Sequence, residues 1–149
     1  MHTASDVAYC AGFFDGEGHI RIQRHSTRGS YMLSISAVQS TLTPLDMFAN
    51  LFGGKTKKRI TKYRGEDKAI YEWQASSALA ERVLREMYPY LRAKKDEADI
   101  AFAFRETFRP QYGDRSRLDQ EVVSARKDAM LLLQATRIAK RELSRVAYA

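Results

Sequence analysis

Apolar and polar positions change period several times along this chain. From Val7 to Phe14 nearly every residue is apolar, and the run closes on Asp15, Gly16, Glu17 and Gly18. At 3.6 residues per turn, Ala8, Ala11, Gly12 and Asp15 share one face of a helix. Small side chains on such a face let a second helix backbone approach closely. Val7, Tyr9, Cys10, Phe13 and Phe14 cover the remaining faces, which predicts a helix buried nearly all round, capped by Ser5 or Asp6. After Gly18 the period drops to two. Ile20 and Ile22 alternate with His19, Arg21 and Gln23, the mark of a half-exposed strand. The stretch from His25 to Ser30 reads as a loop. From Tyr31 to Gln39 alternation resumes, with Leu33, Ile35 and Ala37 opposite Met32, Ser34 and Ser36.

The same succession then repeats without repeating the sequence. Leu42 to Phe52 has helical spacing, with Thr43 as cap, Pro44 in the first turn and Gly53-Gly54 at the end. Lys55 to Tyr63 predicts a basic strand, RGED (Arg64 to Asp67) a turn, and Ala69 to Ala75 its partner strand. Ser76 or Ser77 caps a helix that turns Leu79, Val83, Leu84 and Met87 inward. Pro89 interrupts it, and a second helix is expected from about Leu91 to Phe108. Beyond a break at Arg109 to Gly113, Ser116 and Asp119 make a capping-box-like start to a long helix reaching Arg145. The stripe of that helix runs through Leu118, Val122, Ala125, Ala129 and Leu132 or Leu133. Helix, hairpin, helix, hairpin and two helices give an α+β domain on one antiparallel four-stranded sheet.

Charge sharpens this picture. The chain of 149 residues carries a formal +7, but the excess is not spread evenly. Between His19 and Arg64 there are nine Lys or Arg and one acid, Asp46, so this span holds +8 and the remainder −1. Two predicted hairpins therefore carry all the excess, which points to a polyanionic partner. The single cysteine, Cys10, excludes a disulfide framework within the chain and fits a small core residue. No signal peptide is visible, and no apolar run approaches the roughly 18 residues of a membrane span. Nucleic acid in an intracellular, reducing setting is the expected context. His2, His19 and His25 are too scattered to form a metal cluster.

The acids at the end of the first helix are the sharpest chemical feature. A helix C-terminus favours cations, so Asp15 and Glu17 require compensation, for which a metal ion is a natural candidate. CAGFFDGEG (Cys10 to Gly18) resembles the LAGLIDADG motif of homing endonucleases. Ala11, Gly12, Asp15 and Gly18 match it, Cys10 replaces the usual leucine, and Glu17 replaces aspartate with the acid retained. A second anchor, PYLRAKKDEAD (Pro89 to Asp99), is similar to the family's proline–aromatic–leucine segment before a lysine-rich turn. The order of elements agrees with the α-β-β-α-β-β-α-α fold of that family. The resemblance covers about Val7 to Phe108. It implies an endonuclease domain over 1–108 and leaves the tail outside it. Residues 109–149 are expected as a helical extension packed on that domain, because the apolar stripe needs cover, with self-association or contact with DNA phosphate through Arg137, Lys140 and Arg141 as the alternatives.

By this resemblance Glu17 is a catalytic acid and metal ligand, assisted by the Gly16 carbonyl, while Asp15 is structural. Mg2+ is the expected ion, with Mn2+ or Ca2+ able to occupy the site. Lys94 matches the basic residue of the active-site pocket, with Lys95 competing for that role. Gln39 matches a polar residue that orders water. The family can carry an arginine shortly after it, a place held here by Thr43. The hairpins would supply a DNA-binding saddle. His19, Arg21, Gln23, His25, Arg28, Tyr31, Ser34 and Ser36 are expected on it from the first hairpin. Lys55, Lys57, Lys58, Arg59, Lys62 and Arg64 are expected from the second, joined by Glu72 and Gln74 if Tyr71 and Trp73 point to the core.

One motif per chain, with no second copy of CAGFFDGEG, implies a homodimer joined through Ala8, Ala11, Gly12 and Asp15. The expected activity is cleavage of double-stranded DNA at a long near-palindromic site, leaving short 3′ overhangs. The gene would lie in an intron or other mobile element, and the protein in a bacterial cytoplasm or an organelle, not secreted. An RNA maturase and a DNA-binding regulator that has lost cleavage are the alternatives on the same fold.

Overall fold

The computed structural model describes residues 2–25, 30–108 and 120–148. Helix α1 (Ala4–Glu17) leads into strands β1 (Gly18–Arg24) and β2 (Tyr31–Gln39). Helix α2 (Thr43–Phe52) then precedes β3 (Lys55–Tyr63) and β4 (Glu66–Ser76). Helix α3 (Ser77–Met87), a 3-10 turn at Tyr88–Tyr90, and helices α4 (Lys95–Glu106) and α5 (Gln120–Ala147) complete the chain. The four strands form one antiparallel sheet in the order β1-β2-β4-β3. The second strand of each hairpin is therefore central, and the basic strand β3 is an edge.

The core lies between one face of this sheet and helices α1 to α4. Ile20, Leu33, Ile35, Leu45, Phe48, Trp73, Val83, Leu84 and Phe104 are inaccessible to solvent. Full burial of such side chains contributes about 1.5–3 kcal/mol each. Trp73 anchors the centre. Its indole nitrogen donates to the Gly53 carbonyl oxygen at 2.8 Å, and its ring packs 4.8 Å from that of Phe48. This contact explains Gly54, where a Cβ would lie 2.7 Å from the Gln74 carbonyl oxygen on a backbone with φ of +93°.

Local signals differ from the expected ones in four places. Thr3, not Ser5 or Asp6, caps α1. Its hydroxyl accepts from the Asp6 amide while the Asp6 carboxylate accepts from the Thr3 amide, a reciprocal capping box. Leu42, not Thr43, precedes α2. The second hairpin turns on two residues, Arg64 and Gly65, whose φ of 52° and 86° are those of a tight turn matching strand twist. RGED therefore does not form a longer turn, and β4 starts at Glu66. Lastly, Pro89 displaces the next helix further than expected, so residues 91–94 are a loop and α4 begins at Lys95. Of the break and cap predicted before α5, Arg109 to Gly113, Ser116, Leu118 and Asp119 lie outside the described residues, as does Arg28.

Helix α5 packs against α4 and against β1. Val122, Arg126 and Leu133 face inward, whereas Ala125 and Leu132 are exposed. No helix among the described residues is long and apolar enough to cross a membrane.

Candidate metal centre and nucleic-acid face

The end of α1 is held by its own small residues and by the loop that precedes α4. Gly18 leaves the helix with its amide donating to the Phe14 carbonyl oxygen. A Cβ on Gly18 would come within 2.5 Å of that oxygen, so the motif's last glycine is required by close approach. Asp15 turns into the loop. Its carboxylate accepts from the backbone amide of Arg92 at 2.6 Å and from that of Lys94 at 3.1 Å. The Lys94 ammonium in turn donates to the Asp15 carbonyl oxygen at 2.5 Å. A cation thus sits at the carbonyl end of the helix, where the macrodipole favours one. Burial lowers the Lys94 pKa from its ordinary value, while Glu97 and Asp15 oppose that shift.

Glu17 stands apart from this network. It is exposed on the last residue of α1 and makes no hydrogen bond or ion pair with the described residues. Pairing of β1 and β2 ends at Gly18 and Ala37, so Gln39 lies two residues beyond that pair at the same end of the sheet. The Gln39 side-chain oxygen accepts from the amide and hydroxyl of Ser40. On the other side, His19 is held below its ordinary pKa by burial and by the charges of Arg21, Arg137 and Lys94. Among the described residues no three His, Cys, Asp or Glu side chains gather as a metal cluster. One chain offers the Glu17 carboxylate and the carbonyl of exposed Gly16, in the last turn where carbonyls lack helical partners. A single carboxylate with oxygen donors fits Mg2+, which keeps several waters and takes phosphate oxygens.

The sheet face opposite the core is built in cross-strand rows. His19, Ser36, Gln74 and Lys55 are aligned through successive pairs, and Arg21, Ser34 and Ser76 form the neighbouring row. Val38, Glu72 and Lys57 make a third. Gln23 projects with Arg21 and His19, since residues two apart share a face. Trp73 is buried and Tyr71 packs on the core, which leaves Glu72 and Gln74 on the outer face as the parity condition required. Arg59 joins them and donates to Glu72 at 3.0 Å. His25 is exposed just past β1, and Arg64 occupies the hairpin turn.

Several expected site residues lie elsewhere. Tyr31 is 7% exposed and faces the core, on the same strand parity as Leu33. Ser34 and Ser36 are on the outer face but only 3% exposed, walled in by longer neighbours, and the Ser36 hydroxyl has no hydrogen-bond partner among the described residues. They form the floor of the face rather than its contact points. Lys58 and Lys62 fall on the parity opposite Lys55, Lys57 and Arg59, and both remain exposed because this hairpin reaches past the core. The small face of α1 is also rotated from its expected position. Ala11 is completely buried within the chain's own core beside Cys10 and Phe14, and Asp15 is engaged by the loop. The exposed stripe is Ser5, Tyr9, Gly12 and Gly16, with Ala8 half-buried at its edge. Of the helix α5 cations, Arg137 and Lys140 are bonded within the chain, while Arg141 is exposed.

No family model and no curated protein matches this sequence. Solved structures do. The homing endonuclease I-CvuI, in complex with its target, superposes with a TM-score of 0.64 at 20% identity over 87% of this chain and 82% of its own. This is the LAGLIDADG homing endonuclease fold. The archaeal intron-encoded homing endonuclease I-Vdi141I, complexed with DNA, matches at TM-score 0.54 and 14% identity, over 85% of this chain and 98% of that one. The LAGLIDADG homing endonuclease I-GzeII, in complex with its DNA target, matches at TM-score 0.59 and 15% identity. There 87% of this chain covers 43% of the other, so the present chain is one fold unit beside a chain about twice as long.

Proposed function

We propose that this protein is a homodimeric, Mg2+-dependent, site-specific endonuclease of the homing type, acting on double-stranded DNA. What carries the reading is the position of Glu17. It is an exposed carboxylate with no hydrogen-bond or ion-pair partner among the described residues, at the sheet end where the end of α1 meets the Lys94 loop. The basic outer face spreads from that end. Solved structures with this fold are complexes with DNA, and an I-CvuI complex with its target was obtained in the presence of Ca.

Each group then has a task. Glu17 and the Gly16 carbonyl would hold the divalent ion, which supplies water activation and charge stabilisation during phosphodiester hydrolysis. Lys94, held by Asp15, places a positive charge beside the reacting phosphate. Gln39 orders water. Arg21, Gln23 and Gln74 have the donor and acceptor groups to read purine edges, and His19 stands in the same rows of the face. Lys55 and Lys57 serve phosphates, which fixes register without conveying sequence. Two copies are needed for two cuts, and the Ser5, Tyr9, Gly12 and Gly16 stripe of α1 supplies the seam across a two-fold axis. Such an assembly suits a near-palindromic target and short 3′ overhangs.

The test is cleavage of the uninterrupted host locus in the presence of Mg2+. Wild type is expected to cut both strands, and Glu17→Gln to bind the same duplex without cutting. If wild type does not cut and Glu17→Gln binds identically, the nuclease reading falls, leaving the regulator. Preferential binding of the intron transcript over the duplex would favour the maturase.

A further inference from the structure

We infer that helix α5, which lies outside the motif-bearing segment, positions the candidate active site by bolting together the two strips of backbone that carry it. Arg137 and Lys140 are the bolts. This inference rests on the nuclease reading of Glu17 and Lys94.

The Arg137 guanidinium reaches two elements at once. It donates from one terminal nitrogen to the carbonyl oxygen of Ile20, three residues after Glu17 on the free edge of β1. Its Nε donates to the Glu97 carboxylate at 3.0 Å, three residues after Lys94 in the first turn of α4. Lys140, one turn further along α5, donates to the Ala93 carbonyl oxygen at 2.7 Å, immediately before Lys94. It also reaches the Asp96 carboxylate at 2.5 Å and that of Glu97 at 3.4 Å. Glu97 is only 4% exposed, so its charge requires these partners. Bonds on both sides of Lys94 and just past Glu17 fix the distance between the two groups from outside the core. The guanidinium holds its two acceptors in a rigid planar fork, whereas the donors of an ammonium rotate about its stem and set the geometry less strictly.

Helix α5 has a second, independent anchor that reaches neither strip. Arg126 donates to the Thr107 hydroxyl and carbonyl oxygen, both at 3.0 Å, and lies 3.7 Å above the Phe108 ring. It holds the helix to the far end of α4. Loss of Arg126 loosens α5 without touching Ile20, Ala93 or Glu97, which separates general stability from positioning. The bolting residues differ from DNA-contacting cations in the same way: a phosphate contact acts on binding, a positioning contact on the rate of the bound complex.

Arg137→Ala, Arg137→Lys, Lys140→Met and Arg126→Ala are compared with wild type in the full chain. Hydrogen–deuterium exchange is followed over residues 18–22 and 91–98, duplex affinity is measured in EDTA, and single-turnover cleavage of the uninterrupted host locus with Mg2+ at saturating protein. Arg137→Ala is expected to raise exchange in both strips and slow cleavage by about 10- to 100-fold, the scale of a small misplacement of reacting groups. Affinity should change less than threefold. Arg137→Lys should recover part of the rate, and Lys140→Met should raise exchange mainly over 91–98. Arg126→Ala should leave exchange at 18–22 and 91–98 near wild type, with a rate loss well below that of Arg137→Ala at matched thermal stability. Unchanged exchange in Arg137→Ala overturns the bolt. Equal rate losses for Arg126→Ala and Arg137→Ala reduce α5 to general support, and a weakened affinity with an unchanged rate assigns Arg137 to DNA. A wild type that cuts no duplex overturns the nuclease reading and the catalytic half of this inference, while the exchange pattern still decides the mechanical half.

Discussion

Asp15 and Lys94 clasp one another in both directions. The Asp15 carboxylate accepts from the Lys94 backbone amide at 3.1 Å, and the Lys94 ammonium returns a bond to the Asp15 carbonyl oxygen at 2.5 Å. The same carboxylate takes the Arg92 amide at 2.6 Å, so one side chain orders the whole turn into α4. Asp15→Ala leaves two amides without their anionic acceptor, a loss of roughly 1.5–3 kcal/mol for bonds to a charged group. At about 2–4 °C per kcal/mol for a domain of this size, the melting temperature should fall by roughly 3–12 °C. Asp15→Asn should recover only part, because its NH2 group faces one of the two donors. In cleavage both variants should lose more than their stability explains, since the backbone that carries Lys94 loses its anchor. Scanning calorimetry with single-turnover rates checks this, and a rate that merely tracks the folded fraction would contradict it.

Much of this architecture is legible in the sequence for a physical reason. Alternation of Ile20 and Ile22 with Arg21, or of Leu33 and Ile35 with Ser34, reflects which side of a strand meets the core, and nothing else produces it so regularly. Parity alone also carries Tyr31 to the side of Leu33, and Lys58 away from Lys57, so those two placements were recoverable. The α1 faces were not. Ala8, Ala11, Gly12 and Asp15 form a small face on any helical wheel, but which small residue meets its own core depends on Phe14 and on the 91–94 loop. Asp15 in particular is committed by amides 77 and 79 residues away. The Arg137 to Glu97 contact spans 40 residues and carries only opposite charges on two helices as its trace in the sequence.

The exposed stripe of α1 gives a clean separation of folding from assembly. A Cβ on Gly12 meets nothing within 4 Å among the described residues, so the described fold has room for a larger side chain there. Replacing a mid-helix glycine with a better helix former should even stabilise the monomer by up to about 1 kcal/mol. Gly12→Leu is therefore expected to keep its circular dichroism and melting temperature while shifting the dimer to monomer in sedimentation, and cleavage should vanish with the dimer. A Gly12→Leu protein that still sediments as a dimer would place the seam elsewhere. Ala11→Leu is the contrast, because that site is fully buried in the core and overpacking costs roughly 1–3 kcal/mol in stability before any partner is met.

On the sheet, Arg21 and Lys57 should fail differently. Arg21 sits beside the buried floor made by Ser34, and its guanidinium suits a guanine edge. Lys57 is on the edge strand, opposite Glu72, and suits phosphate. Arg21→Ala should relax preference at one base pair in each half-site, by about 1–3 kcal/mol of discrimination. Lys57→Ala should weaken binding to all sequences alike and reduce the slope of log K against log salt by about 0.9 for each copy. Affinities on a randomised target set at several salt concentrations check both, and equal effects of the two changes on every sequence would undo the assignment of faces.

Lys94 and Lys95 are adjacent, and the structure separates their environments. Lys95 holds its ammonium 5.1 Å from the centre of the Tyr88 ring, on the side where the Tyr88 hydroxyl donates to Asp99 at 2.7 Å. A cation–π contact at such a position contributes about 0.5–1 kcal/mol. Lys94 is half-buried against the end of α1, its pKa lowered by that burial, with its ammonium on the Asp15 carbonyl. A charge in that place acts through a lower local dielectric than one in open solvent. Lys94→Met should therefore slow single-turnover cleavage by 10²-fold or more, about 2.7 kcal/mol in the barrier, with duplex affinity nearly unchanged. Lys95→Met should cost only its contact with Tyr88, a small drop in melting temperature, and cut at close to the wild-type rate. The reverse ranking would move the active lysine to Lys95 and detach the Asp15 clasp from catalysis.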